Sequence, residues 1–118
     1  MIEVKMAELR LNHKLAFHIP HVAFDGNGFI DVPFWHFENM LIDGLEKVGI
    51  DAYHIITAEG GYKGRKYAQD IFTVFCDYDH QKPIIDTYKN LCNSLKHEMK
   101  QEQYAYEHDG VLVVFETE

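Results

Sequence analysis

Three glycines, Gly60, Gly61 and Gly64, stand among Lys63, Arg65 and Lys66 between Tyr62 and Tyr67 in the stretch EGGYKGRKY. Three of the eleven Lys and Arg residues fall within these four positions. Glycine lets backbone N–H groups converge on one point, and Lys or Arg adds charge, so the pattern suits an anion. Two flanking tyrosines can stack on a base or grip a partner. The spacing is neither G-x-x-x-x-G-K-[ST] nor G-x-G-x-x-G, so it is not a standard phosphate loop. A solvated hairpin with a charged tip is the plainer alternative.

Eight histidines are present. His18 and His21 are three apart in an extended stretch, which sends them to opposite faces unless Pro20 breaks the strand. His36 and His54 join them only through the tertiary fold. There is no H-x-x-x-H and no His-rich run, so no metal ligand is assigned. Glu59 and Asp70 can meet across a hairpin ladder, but a salt bridge from Glu59 to Lys63 or Lys66 explains it equally well. Asp77 and Asp79 fit the cap of the following helix. Ser94 is the single serine and has no glycine elbow around it. Cys76 and Cys92 sit in apolar patterns and read as core thiols rather than nucleophiles or zinc ligands. The candidate ligand-binding set is Glu59, Tyr62, Lys63, Arg65, Lys66 and Tyr67, with His18 and His54. No catalytic residue is assigned.

These residues need elements to hold them. A strand is expected over Lys14–Phe24, interrupted at Pro20, then a turn at Asp25-Gly26-Asn27-Gly28. A first helix is expected from an Asp31 N-cap to Gly49, with Phe34, Phe37, Leu41, Leu45 and Val48 on its inner stripe. Glu38 falls on the other side, and Trp35 is expected partly in the core. Strands follow at Ala52–Ala58 and Ala68–Tyr78, with residues 59–67 as their connection. A second helix carries Ile84, Ile85, Tyr88, Leu91, Cys92, Leu95 and Met99 on one face. Asp109-Gly110 predicts a hairpin with Tyr106 opposite Val113 and Tyr104 opposite Phe115.

The order is β-α-β-β-α-β-β. It predicts an α+β fold, a ferredoxin-like split β-α-β with an extra C-terminal strand and two helices on one face of an antiparallel sheet. At 118 residues one domain spanning 1–118 is expected, with 1–13 as a loosely packed lead-in. Apolar content of 47% excludes a disordered chain. No apolar run approaches the roughly twenty residues of a membrane helix. With no apolar signal segment at the start, a reducing cytoplasmic setting is expected. A net charge of −8 disfavours nucleic acid as a partner.

The stretches LAFHIP, DVPFWHFENML, TAEGGYKG and KQEQYAYEHDGVLVVFE resemble a family of small bacterial and phage-type proteins known only as a domain of unknown function. The resemblance implies a ferredoxin-like fold and no activity.

The function expected first is a small non-enzymatic binding module, holding an anionic small ligand such as a nucleotide near the 59–67 hairpin and pairing as a homodimer. The alternative is an acidic interaction or inhibitor protein of the phage anti-defence kind, bound to a basic surface of a partner. A further alternative is a small enzyme using His18, His21, His36 or His54 with Glu59 for proton transfer. Nothing in the spacing demands it, so catalysis is not favoured. No cofactor is expected.

Overall fold

The computed structural model describes residues 8–118; residues 1–7 of the expected lead-in lie outside the described residues. The chain runs β1 (His13–Pro20), β2 (Val22–Phe24), β3 (Phe29–Asp31), α1 (Phe34–Lys47), β4 (His54–Tyr62) and β5 (Arg65–Cys76). It continues through α2 (Gln81–Ser94), α3 (Lys96–Met99), β6 (Gln103–His108) and β7 (Val111–Glu116). Five strands form one antiparallel sheet in the order β4-β5-β1-β6-β7, and β2 and β3 form a separate pair. This is the ferredoxin-like arrangement, with β7 extending the edge beyond β6.

Strand alternation decides which residues meet the helices. Leu15, Phe17 and Ile19 of β1, Phe72 and Val74 of β5, and Tyr104 and Tyr106 of β6 are buried. They pack against Phe37, Leu41 and Leu45 of α1 and Ile84, Tyr88, Leu91 and Cys92 of α2. Phe17 is central. It faces Phe72 on one side and Tyr106 on the other, and its ring centre is 4.4 Å from that of Tyr88. Phe17→Ala would remove a fully buried ring and leave a cavity, costing about 3–5 kcal/mol. Among the described residues no helix is long and apolar enough to cross a membrane.

Two hairpins rest on turn chemistry. Asp109 and Gly110 both have positive φ, as a type I′ turn requires. They set the register Tyr106↔Val113 and Tyr104↔Phe115. Lys63 and Gly64 also have positive φ, so β4 and β5 stay paired out to Tyr62↔Arg65. The glycine-rich hairpin connection expected at 59–67 is ladder with a two-residue turn.

Three expected elements differ. The strand over Lys14–Phe24 is two, because β1 ends at Pro20 and β2 turns away to pair with β3. Asp31 is not a helix cap: it pairs with Val22 in that hairpin, and α1 begins at Phe34 after Pro33. The second helix breaks at Leu95 into α2 and α3, and Lys100 in the left-handed region ends it. Met99 nonetheless stays buried. Trp35 is 59% exposed rather than partly in the core.

Candidate functional site

The ladder between β1 and β6 runs only from Leu15↔His108 to Phe17↔Tyr106. Past it the Tyr88 hydroxyl fills the gap, 2.9 Å from the His18 carbonyl and 3.2 Å from that of Ala105. Beyond this point the sheet opens. His18 and Pro20, out of phase with the core residues of β1, face away from the helices into a cleft of about 440 Å³. Tyr62, Tyr67 and Gln69 of the β4–β5 hairpin form one wall, Phe24 and Phe29 of the β2–β3 hairpin another, and residues 100–105 the third. Such a volume lies within the range of small-molecule sites.

The walls lean on each other. Phe24 meets Tyr62 edge-on at 5.5 Å and Phe29 meets Tyr67 at 5.5 Å. Tyr67 lies across its ladder partner Gly60, where an added Cβ would come within 2.6 Å of the ring. The glycine is what lets the ring lie flat there. Gln101 ties the third wall to the hairpin by donating to the Val22 carbonyl at 3.3 Å. His18 is half-buried, and burial lowers its pKa against the opposing pull of Glu107. Its imidazole is thus neutral at physiological pH.

Of the eight residues singled out in the sequence, Tyr62, Tyr67 and His18 come together in the cleft. The other five do not line it. Lys63 sits 5.4 Å over both the Phe24 and Tyr62 rings. Arg65 donates to the Asn27 carbonyl at 3.0 Å. Lys66 pairs with Glu59 at 3.5 Å. His54 stacks on Phe75 with ring centres 6.2 Å apart. Phe24, Phe29, Gln69 and Glu102 line the cleft and were not singled out, since nothing local marks them.

A second polar group lies on the helix side. Asp70 is 5% exposed, and it faces Thr57 across the ladder and accepts its hydroxyl at 2.8 Å. His21 Nε2 approaches the same carboxylate oxygen at 2.8 Å, while its ring stacks on Phe34 at 3.7 Å. Glu38 follows Phe34 by one helical turn and reaches Asp70, half-buried rather than on the outer face. Burial, then the hydrogen bond and charge of Asp70, push its carboxyl up to about 8. Burial alone would raise Asp70, but hydrogen bonds from Glu38, Thr57 and His21 outweigh it and hold it low. Of the two carboxyls, Glu38 is thus the one that keeps its proton and Asp70 the one that gives its proton up.

The fold and cleft together define a ferredoxin-like protein with an aromatic-lined cleft on the open face of its sheet. No family model matches the chain, and no curated protein matches it in sequence. Two solved structures share its fold over nearly their whole length. A phage SAM lyase in complex with S-methyl-5′-thioadenosine has a TM-score of 0.62 at 9% identity, over 98% of this chain and 97% of that one. A phage SAM lyase in its apo state has a TM-score of 0.53 at 14% identity, over 98% of each chain. One of these neighbours holds a small nucleoside ligand.

The neighbours correct the functional expectations. A non-enzymatic binding module was expected and catalysis disfavoured, yet these two solved proteins with this fold are lyases. The lack of a sequence motif is thus no argument against an enzyme. The acidic inhibitor alternative falls to the same finding. At the 59–67 hairpin, Lys63, Arg65 and Lys66 each make a contact within the chain and none of them lines the cleft. Nor do the histidines gather around Glu59: His18 lines the cleft, His21 meets Asp70, and His54 stacks on Phe75.

Proposed function

We propose that this chain is an enzyme that binds S-adenosylmethionine in the aromatic cleft and releases S-methyl-5′-thioadenosine. The observation that carries the proposal is the cleft itself, lined by Phe24, Phe29, Tyr62 and Tyr67 around a neutral His18. The lyase fold of the neighbours supports it.

Adenine stacks on aromatic faces for about 1–3 kcal/mol per base. The Gln69 amide offers both a donor and an acceptor to the nucleoside. The sulfonium is a cation, and a chain of net charge −8 attracts one. A neutral His18 does not repel it, and Glu102 supplies a carboxylate at the cleft wall for the substrate ammonium.

In the proposed step the bond between sulfur and the γ-carbon breaks, and sulfur keeps the electron pair. The substrate's own carboxylate oxygen closes on the γ-carbon, so neither water nor a proton is consumed. A cation and an anion are annihilated as the bond forms. An aromatic, water-poor wall favours that change, because it solvates the separated charges less well than water does.

The test is incubation of the full chain with S-adenosylmethionine, followed by chromatography and mass detection of S-methyl-5′-thioadenosine. Product above the protein-free rate, lost in Tyr62→Ala plus Tyr67→Ala, supports the proposal. No product, with no binding of S-methyl-5′-thioadenosine by calorimetry, overturns it.

A further inference from the structure

At the far end of the sheet the structure brings together two imidazoles and a carboxylate that the cleft does not use. We propose that His13, His108 and Asp109 bind one divalent transition-metal ion of the zinc or nickel kind. Their donor atoms all lie within 4.8 Å of one another. His13 is five residues along β1 from His18, roughly 17 Å at strand rise, so this site is separate from the cleft and independent of the lyase chemistry.

The distances suit an ion. His13 Nδ1 is 2.7 Å and His108 Nε2 is 3.7 Å from Asp109 Oδ2. Nitrogen and oxygen ligands about 2.0–2.1 Å from a tetrahedral ion lie about 3.3 Å apart. The two contacts bracket that value, so side-chain shifts of less than about an ångström close the site.

The carboxylate is already aimed. Asp109 Oδ1 accepts the Lys14 N–H at 2.8 Å, and the Asp109 N–H donates to the Lys14 carbonyl at 2.9 Å. Its backbone is held at positive φ by the β6–β7 turn. With one oxygen pinned, Oδ2 is left facing both imidazoles. A third element adds a donor, because Gln81 Oε1 of α2 lies 2.5 Å from His108 Nε2. In the metal-free chain that oxygen accepts the Nε2–H of His108; with the proton moved to Nδ1 the Nε2 lone pair opens to the ion, and the Gln81 oxygen moves outward by under about an ångström to ligand spacing. The Lys14 N–H on Asp109 Oδ1 is the kind of outer partner that orients a metal ligand.

Two imidazoles with carboxylate and amide oxygens prefer zinc, nickel, cobalt or copper over magnesium or calcium. The side chains of His13, His108 and Asp109 are 27%, 33% and 40% exposed, so an ion can enter from solvent. The sequence hides the site because its ligands come from opposite ends of the chain.

The test is calorimetric titration of metal-stripped full chain with Zn²⁺ and with Mg²⁺, plus visible absorption of the Co²⁺ form. The expected result is one Zn²⁺ per chain, no saturable Mg²⁺ binding, and absorption bands of low-coordinate Co²⁺. His13→Gln and His108→Gln should each weaken Zn²⁺ at least tenfold. Asp109→Asn, which keeps the turn and the Lys14 contact, should do the same. His54→Gln, outside the cluster, should change affinity less than twofold. The proposal is overturned by absent Zn²⁺ saturation, by equal Mg²⁺ affinity, or by unchanged Zn²⁺ affinity in the His13→Gln, His108→Gln double variant.

Discussion

Replacing Glu38 by glutamine should flatten the alkaline side of the stability profile. Glu38 titrates near 4.5 in the unfolded chain and near 8 when folded. The folded state is therefore the better proton binder between those values, and stability falls as pH rises through them. The contribution is fully present below about 4.5 and gone above about 8. An isolated group with these two values would lose about 2.7 kcal/mol between pH 6 and pH 9. Asp70 moves the other way, but its loss comes at acid pH, outside this window. Glu38 is only half-buried, so solvent screening reduces the figure to about 1 kcal/mol. In the Glu38→Gln variant the side-chain amide would donate to Asp70 with no proton to lose. Urea unfolding of both proteins at pH 6 and pH 9 should show wild type losing about 1 kcal/mol more than Glu38→Gln. For a chain of this size that is about 4 °C in Tm. Parallel losses in the two proteins would refute the proton held by Glu38.

Tyr88→Phe should cost about 1–2 kcal/mol in urea unfolding, because it strips the hydroxyl that serves the His18 and Ala105 carbonyls. Gly60→Ala should push the Tyr67 ring off its ladder partner and weaken S-methyl-5′-thioadenosine binding by about tenfold or more in calorimetry, with little change in Tm. The homodimer expected from the sequence is open to sedimentation velocity. Leu112 and Val114 are 56% and 52% exposed on the edge strand β7, and an unblunted edge invites pairing. Leu112→Lys plus Val114→Lys should yield monomer if wild type sediments as a dimer, and a dimer that survives both changes would place pairing elsewhere.

How far the sequence reached follows from the range of the forces involved. The stripe Ile84 to Met99 and the Asp109-Gly110 turn are local patterns, so the second helical segment and the terminal register were legible. The sheet order followed from the β-α-β-β-α-β succession. The β2–β3 hairpin was not legible, because Asp31 before Pro33 carries a capping signature as strong as its pairing signature, and only the contact with Val22 decides between them. The cleft was half visible. Tyr62, Tyr67 and His18 are unusual where they stand, whereas Phe24, Phe29 and Gln69 become a wall only because β1 and β6 part after Phe17↔Tyr106. The misjudged cations show the same limit. Lys63 and Arg65 look free in a glycine-rich run, and only the third dimension shows the Phe24 ring beneath both of them. Phe24→Ala leaves Arg65 on the Asn27 carbonyl and Lys63 over the Tyr62 ring, so the variant should lose a stacking face without freeing an anion site. Calorimetry should show S-methyl-5′-thioadenosine bound about tenfold more weakly, and unchanged affinity would mean that the Phe24 ring is not a wall of the site.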